Sequence, residues 1–437
     1  MKVALVLVFL IISAPNVFAM TVQDPELVVE EYATGLSLPT SISFIDSDIL
    51  VLQKNDGKVR LIRDGILQNN TVLDLSVSNN SERGLLGIES VGNNVYLFFT
   101  ESLIDGGSPL GNRIYKYSWN GTDLINPSLI KDLPVTPGPN HNGGILAKDL
   151  DDNIFAIIGD LNRNGVLQNF PSGNPDDTSV ILPIDPSGPI HAMGIRNSFG
   201  LTIDPVTGNM WDTENGPSTF DEINMISPNF NSGWETIMGP ATQQQIDSLP
   251  GFESFVYSDP EFSWENTVAP TSILFPDTIS FTNYSDSVFV GDCNNGILYK
   301  FTLNQSRDSF VFIDPTLTDL VLNMTDNSAE IEFGNGFGCI TDIEMGPDNF
   351  LYISSLTHGK IYRILPANAC IVPNSGDLII TSSCTIYSGI IPRNILVQNN
   401  SILTIPSGLT LDVDFSQFNI TINFGSGVLI KSGGTIN

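Results

Sequence analysis

Few side chains in this sequence can exchange a proton near neutral pH. Histidine occurs three times in 437 residues, at 141, 191 and 358, and its unperturbed pKa near 6.5 makes it the side chain to weigh first as a general base. Four polar clusters stand at the ends of apolar runs. They are Glu82-Arg83-Gly84-Leu85-Leu86-Gly87, Asn140-His141-Asn142-Gly143-Gly144, Gly194-Ile195-Arg196-Asn197, and Glu214-Asn215-Gly216-Pro217 followed by Asp221-Glu222-Ile223-Asn224. Generic signatures are missing: there is no phosphate-binding Gly-Lys loop, no Gly-x-Ser-x-Gly elbow and no Cys-x-x-Cys pair, which sets aside common hydrolase and zinc chemistry. Asp149-Leu150-Asp151-Asp152-Asn153 has the acidic spacing of a calcium loop, but Ile154 stands where the sharp turn needs glycine. That run reads as a hairpin turn.

The elements that must hold these clusters are strands. From Ser41 to Leu365 one pattern recurs six times: an apolar strand, a turn of Asp, Asn or Gly, then a second strand at 49–53, 95–99, 154–158, 210–214, 288–292 and 351–355. These second strands are mostly β-branched or aromatic. Gly and Pro punctuate the chain and amphipathic helical periodicity is hard to find, so βαβ architectures are disfavoured. The expected fold is all-β, a six-bladed β-propeller over 20–366, with a β-sandwich as the alternative that leaves six similar hairpins unexplained.

After Pro366 the texture changes to short alternating runs with almost no charge. The segments 376–386, 401–411 and 426–436 align every 25 residues, with Leu378/Leu403/Val428, Ile380/Ile405/Ile430 and Ile386/Leu411/Ile436 as apolar columns and Ser382/Ser407/Ser432 and Thr385/Thr410/Thr435 as polar ones. Such columns predict a three-rung β-solenoid-like domain over 367–437, with a linker carrying a chance repeat as the plainer alternative. The same offset sets Cys370 over Ile395 and Ile420 and Cys384 over Leu409, so both cysteines point inward and a Cys370–Cys384 disulfide locks the first rung. Closing that short loop is worth roughly 3 kcal/mol in the chain-entropy model. No polar cap follows the third rung, so its edge is open to a cell surface, another partner or a second copy.

Composition narrows the partners. Acidic residues outnumber basic ones 48 to 18, a formal charge of −30, which repels nucleic acid and anionic membranes. Residues 1–19 carry one charge, Lys2, then an apolar run and Val17-Phe18-Ala19, the pattern of a removed signal peptide; the run is too short for the roughly 20 residues that span a bilayer. Export fits the four cysteines, for which two disulfides are expected. It also suits the Asn-x-Ser/Thr sequons at Asn69, Asn79, Asn120, Asn283, Asn304, Asn323, Asn399 and Asn419, although Asn is so common that several arise by chance.

Taken together, in this order and one per blade junction, the four clusters resemble the glucose/sorbosone dehydrogenase family of soluble aldose dehydrogenases, which use pyrroloquinoline quinone (PQQ) and calcium on a six-bladed propeller. Gly159-Asp160, Asn231 to Trp234, Trp264 and Gly346-Pro347-Asp348 extend the resemblance over about 35–365. It implies oxidation of the anomeric hydroxyl of an aldose, with an external electron acceptor. His141 would take the hydroxyl proton, and Arg196 would face the developing quinone oxyanion. Glu82, Asn140, Arg196 and Asn197 would contact the cofactor. Backbone oxygens of Gly216 and Pro217 would hold the active-site calcium, and Glu222 a second, structural one. His191 and His358 are read as structural.

The sequence departs from the family where the cofactor's carboxylates are gripped. Cys293-Asn294-Asn295 and Cys339-Ile340-Thr341 stand where members carry a lysine and arginines, and no cation is expected to replace them. The two cysteines then fall at strand ends in adjacent blades, so the resemblance implies a Cys293–Cys339 disulfide closing part of the pocket. Two functions follow: a secreted quinone-dependent sugar dehydrogenase, or a non-catalytic calcium-binding propeller acting at a cell surface or on glycans.

Overall fold

The computed structural model describes residues 20–165, 176–251, 254–276, 278–373 and 375–437. The predicted signal peptide, 1–19, lies outside them. Strands dominate, and among the described residues the only α-helix is Gln243–Ser248, started by a capping box between Thr242 and Gln245.

Each apolar second strand is buried nearly end to end. Asp48–Gln53, Ile154–Ile158, Met210–Glu214, Ser287–Asp292 and Leu351–Ser355 show at most one residue each that is not fully buried. A strand covered on both faces needs no polar alternation, which is why these segments read as continuous apolar runs. Each sits second in a sheet whose leading strands are antiparallel, and the described strands of residues 21–366 make six such sheets of four to six strands, two of them extended at one edge by short parallel pairs. The first strands, Pro39–Ile45, Leu85–Val91, Leu146–Lys148, Ser198–Ile203, Pro270–Leu274 and Ile340–Met345, all contribute to the lining of one axial cavity. The arrangement is propeller-like.

Six hydrophobic clusters fill the gaps between sheets. One joins Leu50 and Leu52 of the first sheet to Leu97 and Phe99 of the second; another joins Trp211 and Ile223 of the fourth to Val290 and Phe301 of the fifth. Ile49 and Val51 pack on Tyr352 and Ile361, so the last sheet also meets the first. Backbone pairing ties the ends together: Leu27–Thr34 runs antiparallel to Lys360–Pro366, and Thr21–Val22 pairs with Glu332–Asn335. The amino-terminal strands thus complete the two sheets made by the end of this region.

Residues beyond 367 form short parallel ladders over their own core of Leu378, Ile380, Ile386, Ile395, Val397, Leu403, Ile405 and Leu411. Ile395 pairs with Ile420, Leu403 with Val428 and Thr410 with Thr435, partners 25 apart. The first turn is shorter than expected. Leu378 pairs with Ile395 rather than Leu403, and Cys384 with Leu403 rather than Leu409. Both slips are even, so inward residues stay inward, and alternation alone does not distinguish the two registers. Cys370 and Cys384 are bonded within this turn. The third copy has neighbours on one side only; Ile430, expected in a core column, is 46% exposed there, and Phe424 is fully exposed.

Candidate active site

Strand ends and loops of all six sheets meet around a cavity of about 500 Å³, lined among others by Glu82, Asn140, His141, Arg196, Asn197 and Gly216. These predicted residues come from loops up to 134 positions apart in sequence, between Glu82 and Gly216, and the ring brings them to one mouth.

His141 sits in a loop with a left-handed backbone (φ 61°). Its N–H donates to the Glu82 carboxylate at 2.5 Å, and its ring Nδ1 lies 2.5 Å from Oδ1 of Asp160. Asp160 is buried and also accepts from Trp234 Nε1 at 2.7 Å and from the backbone of Asn162 at 2.9 Å. Burial pushes this carboxyl upward, but the hydrogen bonds from His141, Trp234 and Asn162 outweigh it and hold the group below the ordinary range. An ionised Asp160 accepts a proton-bearing Nδ1, which makes Nε2 the basic nitrogen. Nε2 has no hydrogen-bond partner among the described residues. Gly159 is required beside it: a Cβ there would lie 2.6 Å from the carbonyl oxygen of His141 and 2.5 Å from that of Arg196.

Arg196 is fixed at both ends. Its N–H donates to Glu214 at 2.5 Å, its Nη1 donates to the carbonyl of Asn215 at 2.6 Å, and the guanidinium stacks over Trp234 at 5.1 Å. Nε is buried without a partner. Burial pulls its pKa down, opposed by Asp160, Glu214, Glu82 and Asp221. Glu214 is fully buried, takes a second hydrogen bond from Ser232 at 2.6 Å, and is pushed up to about 7 by burial. Asn197 Nδ2 donates to both oxygens of Glu82 at 3.2 and 3.3 Å, while its Oδ1 is buried and unpaired. Asn140 lines the same mouth and bonds through its side chain to Ser81.

The two expected metal positions separate. Gly216 lines the cavity, and its N–H donates to Asp221 at 2.8 Å, while Pro217 is not among the lining residues. Asp221 is saturated by two further backbone donors, Val268 at 2.6 Å and Ala269 at 2.7 Å. Glu222 lies away from the mouth. It accepts from the backbone of Gly239 and from Asn224 at 3.4 Å, and it pairs across the sheet with Glu214. Burial raises both Glu222 and neighbouring Asp212 well above the carboxylate range, and Asp212 Oδ2 has no partner. Among the described residues, no three His, Cys, Asp or Glu side chains converge on a metal position. His191 packs edge-on against Phe155, and His358 Nδ1 meets the Tyr362 hydroxyl at 2.8 Å; neither lines the cavity.

Cys293 and Cys339 are bonded, and both line the cavity. A cation does enter this cavity, Lys54, from the end of strand Asp48–Gln53 on the first sheet. It stands more than 200 positions from the cysteines, and ring closure sets it on the wall of the same cavity. The signal was its place immediately after a second strand, where Glu214 and Asp292 end theirs.

The sequence profile of the Glucose / Sorbosone dehydrogenase family matches residues 36–363. The chain belongs to that family. It is 25% identical over 366 residues to Quinoprotein glucose dehydrogenase B of Acinetobacter calcoaceticus, with 73% of each chain covered. It is 22% identical over 256 residues to Aldose sugar dehydrogenase YliI of Escherichia coli, covering 55% of this chain and 64% of that protein. The fold matches the PQQ-bound aldose sugar dehydrogenase of Streptomyces coelicolor with a TM-score of 0.59 at 22% identity, over 78% of this chain and 99% of the other.

Proposed function

We propose that this protein is a secreted quinone-dependent aldose dehydrogenase whose six sheets are the six blades of a propeller. The observation that carries the reading is the His141–Asp160 pair beside Arg196, in a cavity where the unpaired groups include a guanidinium donor but no carboxylate of Glu82 or Asp221 left without a donor. Glu82 and Asp221 spend their charge on protein donors, whereas the Arg196 fork keeps donors without partners. That donor set fits an anionic, oxygen-rich cofactor such as PQQ. The quinone, when bound, supplies the two-electron acceptor.

With a quinone bound to accept hydride from the anomeric carbon, His141 Nε2 would take the proton of the anomeric hydroxyl. Asp160 stabilises the imidazolium so formed, and the buried pair keeps one tautomer in place. Arg196 offers permanent positive charge to the oxygen on which negative charge grows. Backbone oxygens at Gly216, which lines the cavity, and at its neighbour Pro217, which does not, would hold calcium. Repeated turnover would need an external acceptor for the two electrons. The carboxy-terminal repeats act as a solenoid that attaches the enzyme to a cell surface or to a second copy.

A second reading is favoured by the Cys293–Cys339 bond, which lines the cavity in place of the expected basic residues: a propeller that binds a glycan without oxidising it. Equilibrium titration with PQQ in excess calcium, followed by cofactor absorbance, separates the two. Saturable, calcium-dependent binding that weakens in Arg196→Ala establishes the dehydrogenase. Absence of binding at high micromolar cofactor leaves the recognition protein.

A further inference from the structure

Lys54 is built into the cavity wall. Its N–H donates to Leu38 and its carbonyl accepts from Leu85, so its backbone bridges the first and second sheets. Gly84 makes the approach possible: at φ 151° it packs so closely that a Cβ would lie 2.4 Å from the carbonyl oxygen of Lys54 and 2.7 Å from its Cγ. The half-buried side chain then turns to the mouth, where Nζ donates to the carbonyl of Ser81 at 2.6 Å and to Asn55 Oδ1 at 3.2 Å. An ammonium has three donors, and these contacts use two. Glu82, the carboxylate whose charge acts on it, is itself held by His141 and Asn197.

We propose that Lys54 is a cofactor-anchoring residue, its remaining donor binding a carboxylate of the quinone in place of the cations missing at Cys293 and Cys339. The assignment rests on the quinone reading above and adds to it a residue from the opposite end of the chain. It also gives a role to the Glu82-Arg83-Gly84 turn. Ser81 and Asn55 hold the ammonium, and Gly84 lets its stem pass.

The test is equilibrium binding, read by cofactor absorbance in saturating calcium, with PQQ and its trimethyl ester as probes. Losing one charge-assisted hydrogen bond weakens binding about 10- to 100-fold. Lys54→Gln and Lys54→Met should therefore lose about that factor for the acid and little for the ester, while Lys54→Arg recovers most of the affinity. Melting of each unliganded variant reports whether the fold survives, and the two neutral variants guard against one failing to fold. Equal affinity of wild type and Lys54→Gln for the acid overturns the assignment while the quinone reading stands. An equal loss for acid and ester overturns it too, because Lys54 would then only shape the wall. If wild type binds neither probe, the quinone reading itself falls and the assignment with it.

Discussion

On one side of the cavity the wall is a lattice of charges; on the other it is a covalent bond among neutral groups. The first four sheets deliver Lys54, Glu82, His141, Arg196 and Asp221, while the fifth and sixth deliver Cys293, Asn294, Cys339 and Thr341. The charged side is preorganised by hydrogen bonds, each carboxylate fixed by backbone or side-chain donors so that cationic donors, one imidazole nitrogen and the Asn197 amide oxygen remain for a ligand. The neutral side is preorganised by the disulfide, which ties two neighbouring sheets where they meet the mouth. Chemistry belongs to the first side and shape to the second.

That division predicts where substitutions act. The largest effect should come from His141→Ala, which removes the base: turnover of a responsive aldose falls by up to about 10⁴-fold, about 5 kcal/mol of barrier, while PQQ affinity changes little. Loss of binding in place of turnover would move His141 from proton transfer to cofactor anchoring. Next comes the other wall. The Cys293–Cys339 link spans a sequence separation of 46, for which the chain-entropy model gives about 4 kcal/mol. The Cys293→Ser/Cys339→Ser double variant should melt about 5 °C lower, measured by calorimetry with the Cys370–Cys384 bond intact. A tenfold loss of quinone affinity in this variant at a temperature where it is folded would show that the disulfide side also grips the ligand. Asp160→Asn should be milder than His141→Ala, costing about 10²-fold in turnover and shifting the acid limb of the pH–rate profile, since the amide can no longer stabilise an imidazolium. An unchanged profile would show that Asp160 only packs.

The same contrast explains what could be read in the sequence. Strands 154–158, 210–214 and 351–355 have the limits expected, because burial on both faces writes itself as uninterrupted apolar residues. His141, Arg196, Glu82, Asn140 and Asn197 stand out as polar residues at the ends of such runs, and the ring collects them. Asp160 was visible only as part of a motif, since its role depends on a loop 19 positions away. Lys54 was missed because local sequence shows nothing of what ring closure places opposite it. In the carboxy-terminal rungs the buried positions Leu378 and Ile380 were legible, but their partners were not, because an even slip preserves the inward face.

The pH dependence of stability is a slope, and it runs opposite to ordinary acid denaturation. Asp342, on the strand that follows Cys339, is pushed up to about 6 by burial, against hydrogen bonds from Ile42, Ser41 and Ile343. Glu261 is pushed up to about 8 by burial, against one from Met225. Unfolded, both titrate near 4. Between about pH 4 and those raised values the folded chain keeps protons that the unfolded chain has released, so their stabilising contribution is complete below pH 4 and is lost as pH rises through 6 and 8. Asp160, held low, acts in reverse, its contribution present above about pH 4 and lost in stronger acid. The melting temperature should therefore peak near pH 4–5 and decline toward pH 8, as self-repulsion of a −30 chain also requires. Asp342→Asn should make the decline shallower between pH 4 and 6, and Glu261→Gln should make it shallower from pH 4 to 8; the slope that remains belongs to self-repulsion and to the other raised carboxyls, Glu214, Glu222 and Asp212. A melting temperature that climbs from pH 5 to 8 in the wild type would mean that these carboxyls are ionised in the folded ring, with a bound cation as their partner.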